Sequence, residues 1–408
     1  MRILKFFAAF FVTAILIFAF VFGLNWKSFS TFIENREAMA EGSEWVEKTY
    51  SLRGLSEFIA ENPQNISIAS IVVEHPDSLI LYQPDVRRVM GTTTNYLLLL
   101  AWAEKIASGQ ESPDKMLSWA DISQFQLPDV EASIHQNSYR TAKNRGWMVE
   151  ESISVAHALK LLAQYNNLAI SDYLWWHLGP DHWPKLLEQL NLNQTDAPLP
   201  FSGLYLAIAP GIAEMSGDEI VQRWQSESGE QWRDHVIELS RSFAEKPDKR
   251  EQFSTYLKRN RLGGTFIEER NAMILFPKTT AREMAGLMKN IWLAETVSQE
   301  ASRLMKDWMR WPLEQQREVR RDFSDYGAMF DNRLGLLNGI DFGTSAYTGE
   351  TTVQAVFFDR LPIAFWFHMS SNHMHQDFQQ RLIFDPAMID RLREIVHSLE
   401  QNVVSEYR

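Results

Sequence analysis

The sequence contains no cysteine. That excludes disulfide staples, thiolate nucleophiles, cysteine-based zinc sites and a lipid-modified cysteine anchor together, and it fits an oxidising compartment. Long basic runs are absent as well; the densest cluster, Arg317 to Arg321 (REVRR), is one short helical segment. With a net charge of −12 the chain has no basic face that would displace counterions from phosphates, so nucleic acid is excluded as a partner. No internal repeat or low-complexity tract interrupts the chain. What remains is 45% hydrophobic and 23% charged residues, the balance of an ordinary globular protein, and 408 residues are enough to fill a large core.

The strongest local signal is at the start. Arg2 and Lys5 precede FFAAFFVTAILIFAFVFGL, residues 6–24, which carries no charge. At ~1.5 Å per residue this run spans roughly 28 Å, close to the ~30 Å hydrocarbon core of a bilayer. A cleaved signal peptide would have a shorter apolar region with a small-x-small site directly after it. Here Phe22, Gly23, Leu24, Asn25 and Trp26 follow, and Ala38-Met39-Ala40 lies too far downstream. Residues 1–25 therefore read as a transmembrane signal-anchor. Its positive end stays in the cytoplasm, Trp26 sits at the far interface, and the rest of the chain is exported.

Residues 26–62 read as a helical stalk or linker, with Phe32, Met39, Trp45, Val46 and Tyr50 at helical spacing, ended by Asn62-Pro63. Ile66 to Asp85 (ISIASIVVEHPDSLILYQPD) gives two β-rich runs around His75-Pro76-Asp77, a hairpin signature. Asn95 to Ala107 is a strongly apolar helix. From 110 to 320 nearly every periodic stretch is helical: Ser154 to Gln164, Asp172 to Leu178, Asp218 to Trp224, Gln231 to Ala244, and a helix opened by Thr279-Thr280-Ala281-Arg282-Glu283 with a threonine N-cap before Met284, Leu287 and Met288. Strands are expected again at 351–358 (TTVQAVFF) and 363–370 (IAFWFHMS), then a helix from Pro386 to Val403. This order predicts an α+β fold: an antiparallel sheet with flanking helices, split by a large all-helical subdomain. The domain spans 63–405, its α/β part 63–91 and 330–405, its helical part 92–329. The interface of the two parts is the expected place for a ligand pocket.

Three short motifs sit where this layout would place a site. Met90-Gly91-Thr92-Thr93-Thr94-Asn95 opens the apolar helix after the hairpin, Tyr165-Asn166-Asn167 follows a helix of the insert, and Arg333-Leu334-Gly335 follows its last helices. The order and motifs together resemble the class A β-lactamase and penicillin-binding-protein (DD-peptidase) superfamily of serine hydrolases, over roughly 340 residues, with degenerate motifs. The family's chemistry rests on S-x-x-K, S-D-N or Y-x-N, and K-T-G.

The resemblance implies the following roles. Thr92 takes the nucleophile position and its backbone N–H part of the oxyanion hole, while Asn95 stands where the family has its lysine. Residues three apart share a helix face, but an amide cannot accept and return a proton, and loss of a positioned base costs about 10²–10⁴ in rate. Tyr165 would shuttle protons and Asn167 would bond a substrate amide. Arg333 would hold a substrate carboxylate, with Gly335 letting the strand backbone approach; Gly343-Thr344-Ser345 is an alternative placement without a cation. The loop at 192–200 lacks the Glu that would activate a deacylating water, and Asp196 there reads as a capping residue.

Two other signals are read as structural. His368, His373 and His375 are loop residues rather than a metal set, and WWHLGPDHW at 175–183 is core packing at a helix end. No metal or cofactor is expected. Three functions stay open: an acyl-transfer hydrolase of D-Ala-D-Ala-type peptides, β-lactams or related esters; a catalytically inactive pseudoenzyme that binds a wall peptide or a protein partner; or a structural exported domain whose fold is retained for assembly. Each would work outside the bacterial cytoplasmic membrane.

Overall fold

A computed structural model describes residues 33–406, apart from Pro76, Glu131, Thr296 and 314–316. The expected anchor at 1–25 and the first part of the stalk lie outside these residues. Among the described residues no helix is long and apolar enough to cross a membrane.

The hairpin forms as expected. β1 (Ile66–Val72) and β2 (Leu79–Tyr82) pair antiparallel, with Ile68 opposite Tyr82. Three later strands complete the sheet: β3 (Phe323–Asp331), β4 (Leu337–Ser345) and β5 (Thr351–Phe358). The order is β2-β1-β5-β4-β3, every pair antiparallel, so β3 is an edge strand. Because β3 begins at Phe323, the sheet reaches into the span assigned to the helical part.

Both faces of the sheet are covered, which explains why β5 is buried at every position instead of alternating with polar residues. Val353, Ala355 and Phe357 join the core under the helical subdomain, while Val356 and Phe358 join the core on the opposite face. The central helix α1 (Asn95–Ala107) is buried on all sides from Asn95 to Ala103, as a helix apolar all round must be. The part expected to be all-helical is mainly but not wholly so. α2 (Val155–Tyr165) is capped by Ser154, α3 (Leu168–Leu178) by Asn167, and α4 (Ala281–Leu293) by Thr280, whose side chain accepts from the Glu283 N–H. α5 (Gln299–Met309) leads to β3. The insert also holds a small three-stranded sheet built from Met116–Ser118, Met148–Val149 and Ser152–Ser154.

Two expectations change. The run IAFWFHMS is a helix, α6 (Ile363–Ser371), not a strand. A short apolar run has no periodicity to distinguish the two states, and Pro362 directly before it suits a helix start. The expected stalk does not stand apart either. Trp45, Leu55, Phe58 and Ile59 are buried in the core behind the sheet, with Phe58 4.3 Å from Phe365 between ring centroids. α7 (Met374–Phe384) and α8 (Pro386–Glu406) close that face.

A buried polar network ties α7 to the sheet. Asp341 accepts from Gln354 Nε2 (3.1 Å), Gln379 Nε2 (3.2 Å) and the Tyr326 hydroxyl (3.3 Å). Burial pushes the Asp341 carboxyl from 3.8 up to about 7, and the hydrogen bonds offset part of that shift. A raised carboxyl favours the protonated folded state. Its contribution is therefore complete below about pH 4 and fades as pH rises through about 7. Asp341→Asn should flatten this part of the stability profile, which thermal melts of both proteins across that window would read as a shrinking difference at low pH. A difference that does not vary with pH contradicts the assignment.

Candidate functional site

Thr92 lies in a tight 3-10 turn, Gly91–Thr94, that feeds α1. The turn is fixed from below by β4, where Asn338 Nδ2 donates to the carbonyls of Val89 (2.8 Å) and Met90 (3.1 Å). Thr93 closes back on the Met90 carbonyl at 2.6 Å, and Thr94 on that of Gly91. The Thr92 side chain has no solvent exposure. Its hydroxyl donates to Asp331 Oδ1 at 2.7 Å, at the end of edge strand β3.

Asp331 is the residue that sequence reasoning missed. It is fully buried, and desolvation raises its pKa against the opposing pull of Arg333, the Thr92 hydroxyl and the backbone N–H groups of Thr92 and Arg333. The Thr92 N–H expected in an oxyanion hole thus faces a carboxylate of the protein itself. Space is equally tight on the other oxygen. Gly91 has φ +56°, and a Cβ there would lie 1.8 Å from Asp331 Oδ2. The available signal was a lone acid at the end of an apolar strand, two residues before a candidate arginine.

Asn95 is also closed in. Its Oδ1 accepts from the Ser171 hydroxyl at 2.6 Å, and its Nδ2 donates to Asn166 Oδ1 at 3.4 Å. Asn166 in turn donates to the Phe330 carbonyl on β3 at 2.5 Å. The middle residue of Tyr165-Asn166-Asn167 therefore reaches the site, and the two that were expected to do so do not. Asn166 adopts the left-handed conformation (φ 49°, ψ 44°) as it ends α2, which turns its neighbours elsewhere. Tyr165 hydrogen-bonds Thr141 at 2.7 Å and lines a separate cavity. Asn167 caps α3 through the Ile170 N–H (3.1 Å) and donates to Ser138 (2.9 Å) inside the helical subdomain.

Arg333 and Gly335 sit in the turn between β3 and β4, not on a strand. Leu336 N–H donates to the Arg333 carbonyl at 2.7 Å, and Gly335 takes φ +77° against the Arg270 side chain. The alternative Gly343-Thr344-Ser345 is at the far end of β4, paired to β3 and β5. Asp196 has a structural role, accepting from the Lys278 N–H (2.9 Å) and pairing with Arg87 (2.5 Å). Trp175 and Trp183 are buried core residues. Among the described residues no group of His, Asp and Glu is arranged to hold a metal.

Arg333 lines a cavity of about 250 Å³ together with Arg261, Glu269 and the rings of Phe266, Trp366 and Phe367. Burial pushes the Glu269 carboxyl from 4.5 up to about 7, while the Arg261 and Arg333 charges pull it down. Two residues of this wall, Arg261 and Asp129, hold positive φ (53° and 59°), each at a cost of about 1–3 kcal/mol. Convergent charge, aromatic walls and local strain are the marks of a binding site.

Thr92→Val keeps the shape but removes the hydroxyl, leaving a buried carboxylate short of a donor. It should lower stability by roughly 1–3 kcal/mol in urea titrations. An unchanged midpoint would show that the Thr92–Asp331 bond contributes nothing.

No family model matches the sequence, and no curated protein matches it. Solved structures similar to it are β-lactamases. One from Sphaerobacter thermophilus has 12% identity and a TM-score of 0.47, covering 81% of this chain and 97% of that one. One from Chitinophaga pinensis has 11% identity and a TM-score of 0.45, covering 77% and 93%. One from Burkholderia vietnamiensis has 11% and 0.45, covering 79% and 95%. At these identities and TM-scores the likeness carries no argument about fold or activity. The hairpin, the mainly helical insert, the return to strands and the closing helix follow in the order expected from the sequence.

Proposed function

We propose that this chain is a membrane-tethered, non-hydrolytic protein of β-lactamase-like fold that binds the anionic end of a cell-wall peptide in the Arg333 cavity. The observation that carries this reading is the state of Thr92. It is unexposed, its hydroxyl and N–H both face Asp331, and the adjacent Asn95 amide is engaged at both ends. A nucleophile needs a path for substrate and a base of suitable pKa within reach. Asp331 is within reach at 2.7 Å, which favours the hydrolase reading, but it already takes both the Thr92 hydroxyl and the Thr92 N–H, the groups that a substrate carbonyl would have to meet. The neighbouring cavity supports binding. Arg333 and Arg261 offer planar donors to a carboxylate, and the rings of Phe266, Trp366 and Phe367 offer apolar contact.

The full chain treated with fluorescent penicillin should give no covalent band at high dose. A band abolished by Thr92→Ala restores the hydrolase. A peptide ending in D-Ala-D-Ala should bind reversibly and weaken roughly tenfold or more in Arg333→Ala and in the solvent-facing Arg261→Gln. Equal binding by both variants removes this cavity from the reading. For the tether, the full chain should sediment with membranes and a chain lacking residues 1–25 should not.

A further inference from the structure

A second cavity, about 510 Å³, opens where α2 and the end of α5 meet edge strand β3. Its volume lies in the range of small-molecule sites. In a chain of net charge −12 its lining is cationic: Arg145, Lys160 and Arg310 against the single acid Asp307. The three cations differ in availability. Arg310 is held by Asp325, with Nη2 2.9 Å from one carboxylate oxygen, and Lys160 is loosely paired with Asp307 at 3.5 Å. Arg145 has no carboxylate within ion-pair distance among the described residues. Its guanidinium instead lies 4.9 Å from the Trp147 ring, which is stacked on His157 at 4.6 Å, and His157 is hydrogen-bonded to Ser154 at 3.0 Å. A guanidinium resting over a ring that is itself stacked still has N–H donors to offer a planar anion, and it loses less freedom on binding than an unsupported side chain.

The rest of the wall is mixed, with Ala163, Gln164, Met309 and Pro312 beside two indoles. Trp308 is nearly buried, and Trp311 is half-exposed and fixed by edge contacts to Tyr326 (5.1 Å) and Phe330 (5.9 Å). Trp311 is anchored as well through its backbone, whose N–H donates to the Tyr326 carbonyl at 3.1 Å. Rigid indole faces beside an oriented guanidinium select a ligand with a flat ring and an oxyanion a few atoms away.

We propose that this cavity binds an aromatic carboxylate, its carboxylate on Arg145 and Lys160 and its ring against Trp308 and Trp311. The same chemistry is offered by a free aryl acid and by the C-terminal aromatic residue of a peptide. Fluorine NMR of the full chain in mild detergent would separate them. The probes are 4-fluorophenylacetate, a short peptide ending in 4-fluorophenylalanine with a free carboxylate, and the same peptide as its C-terminal amide.

At least one acid should broaden on binding, and which one does identifies the source. The amide should not broaden. Arg145→Gln and Trp311→Leu, both at solvent-accessible positions, should each weaken binding roughly tenfold or more. Arg333→Ala should leave it unchanged, so this site and the Arg333 cavity stand or fall separately. Silence from both acids, equal binding of the amide, or binding unaffected by Arg145→Gln overturns the proposal.

Discussion

The hydrogen bond from Thr92 to Asp331 joins the first turn of the central helix to the last residue of the edge strand. It is the point at which the helical subdomain and the sheet are locked together. A carboxylate buried this completely is costly unless donors surround it; here Oδ1 takes the Thr92 hydroxyl and the Arg333 N–H, while Oδ2 is buried without a partner among the described residues. Gly91 is required because any side chain would collide with the same carboxylate. A second chain of bonds, from Ser171 through Asn95 and Asn166 to the Phe330 carbonyl, crosses the same seam one residue along β3. Side-chain networks of this kind are rigid when fully satisfied, which is the opposite of an open cleft that must admit a substrate.

With the seam closed, the two cavities proposed as binding sites lie on its flanks. Towards the β3–β4 turn lies the smaller cavity, where Arg333 and Arg261 face Glu269 across aromatic walls. Its strained residues, Asp129 and Arg261, come from loops of the helical part, so the subdomain interface shapes this wall. Beside the middle of β3 lies the larger cavity, where the cations surround an indole floor. The N-terminal segment bears on the first of these. Asn35 accepts from the Phe266 N–H at 2.6 Å, and Glu41 pairs with Arg270 at 2.5 Å, so chain leading from the proposed anchor is fastened beside the Arg333 cavity.

Much of this architecture was legible from local chemistry. The hairpin, the apolar helix at 95–107 and the threonine cap before Met284 each depend on residues within a few positions of one another, and each formed where expected. IAFWFHMS did not, because a short run that is apolar throughout suits either a strand or a helix and only its surroundings choose. The site was legible in its parts and not in its assembly. Thr92 and Asn95 lie together at the start of the central helix and Arg333 in the β3–β4 turn, while the left-handed turn at Asn166, invisible to residue spacing, sends Tyr165 towards Thr141 and Asn167 towards Ser138.

What the sequence by itself determined is the hairpin, the apolar central helix and the mainly helical insert, together with the absence of a base at position 95, since an amide cannot act as an amine in any fold. What only the tertiary structure decided is that the site is shut. Asp331 lies 239 residues from Thr92 along the chain, and no local pattern links them. Whether a threonine hydroxyl meets substrate or a carboxylate of its own chain depends on how the edge strand docks against the central helix. That docking is set by burial across the whole interface rather than by either residue.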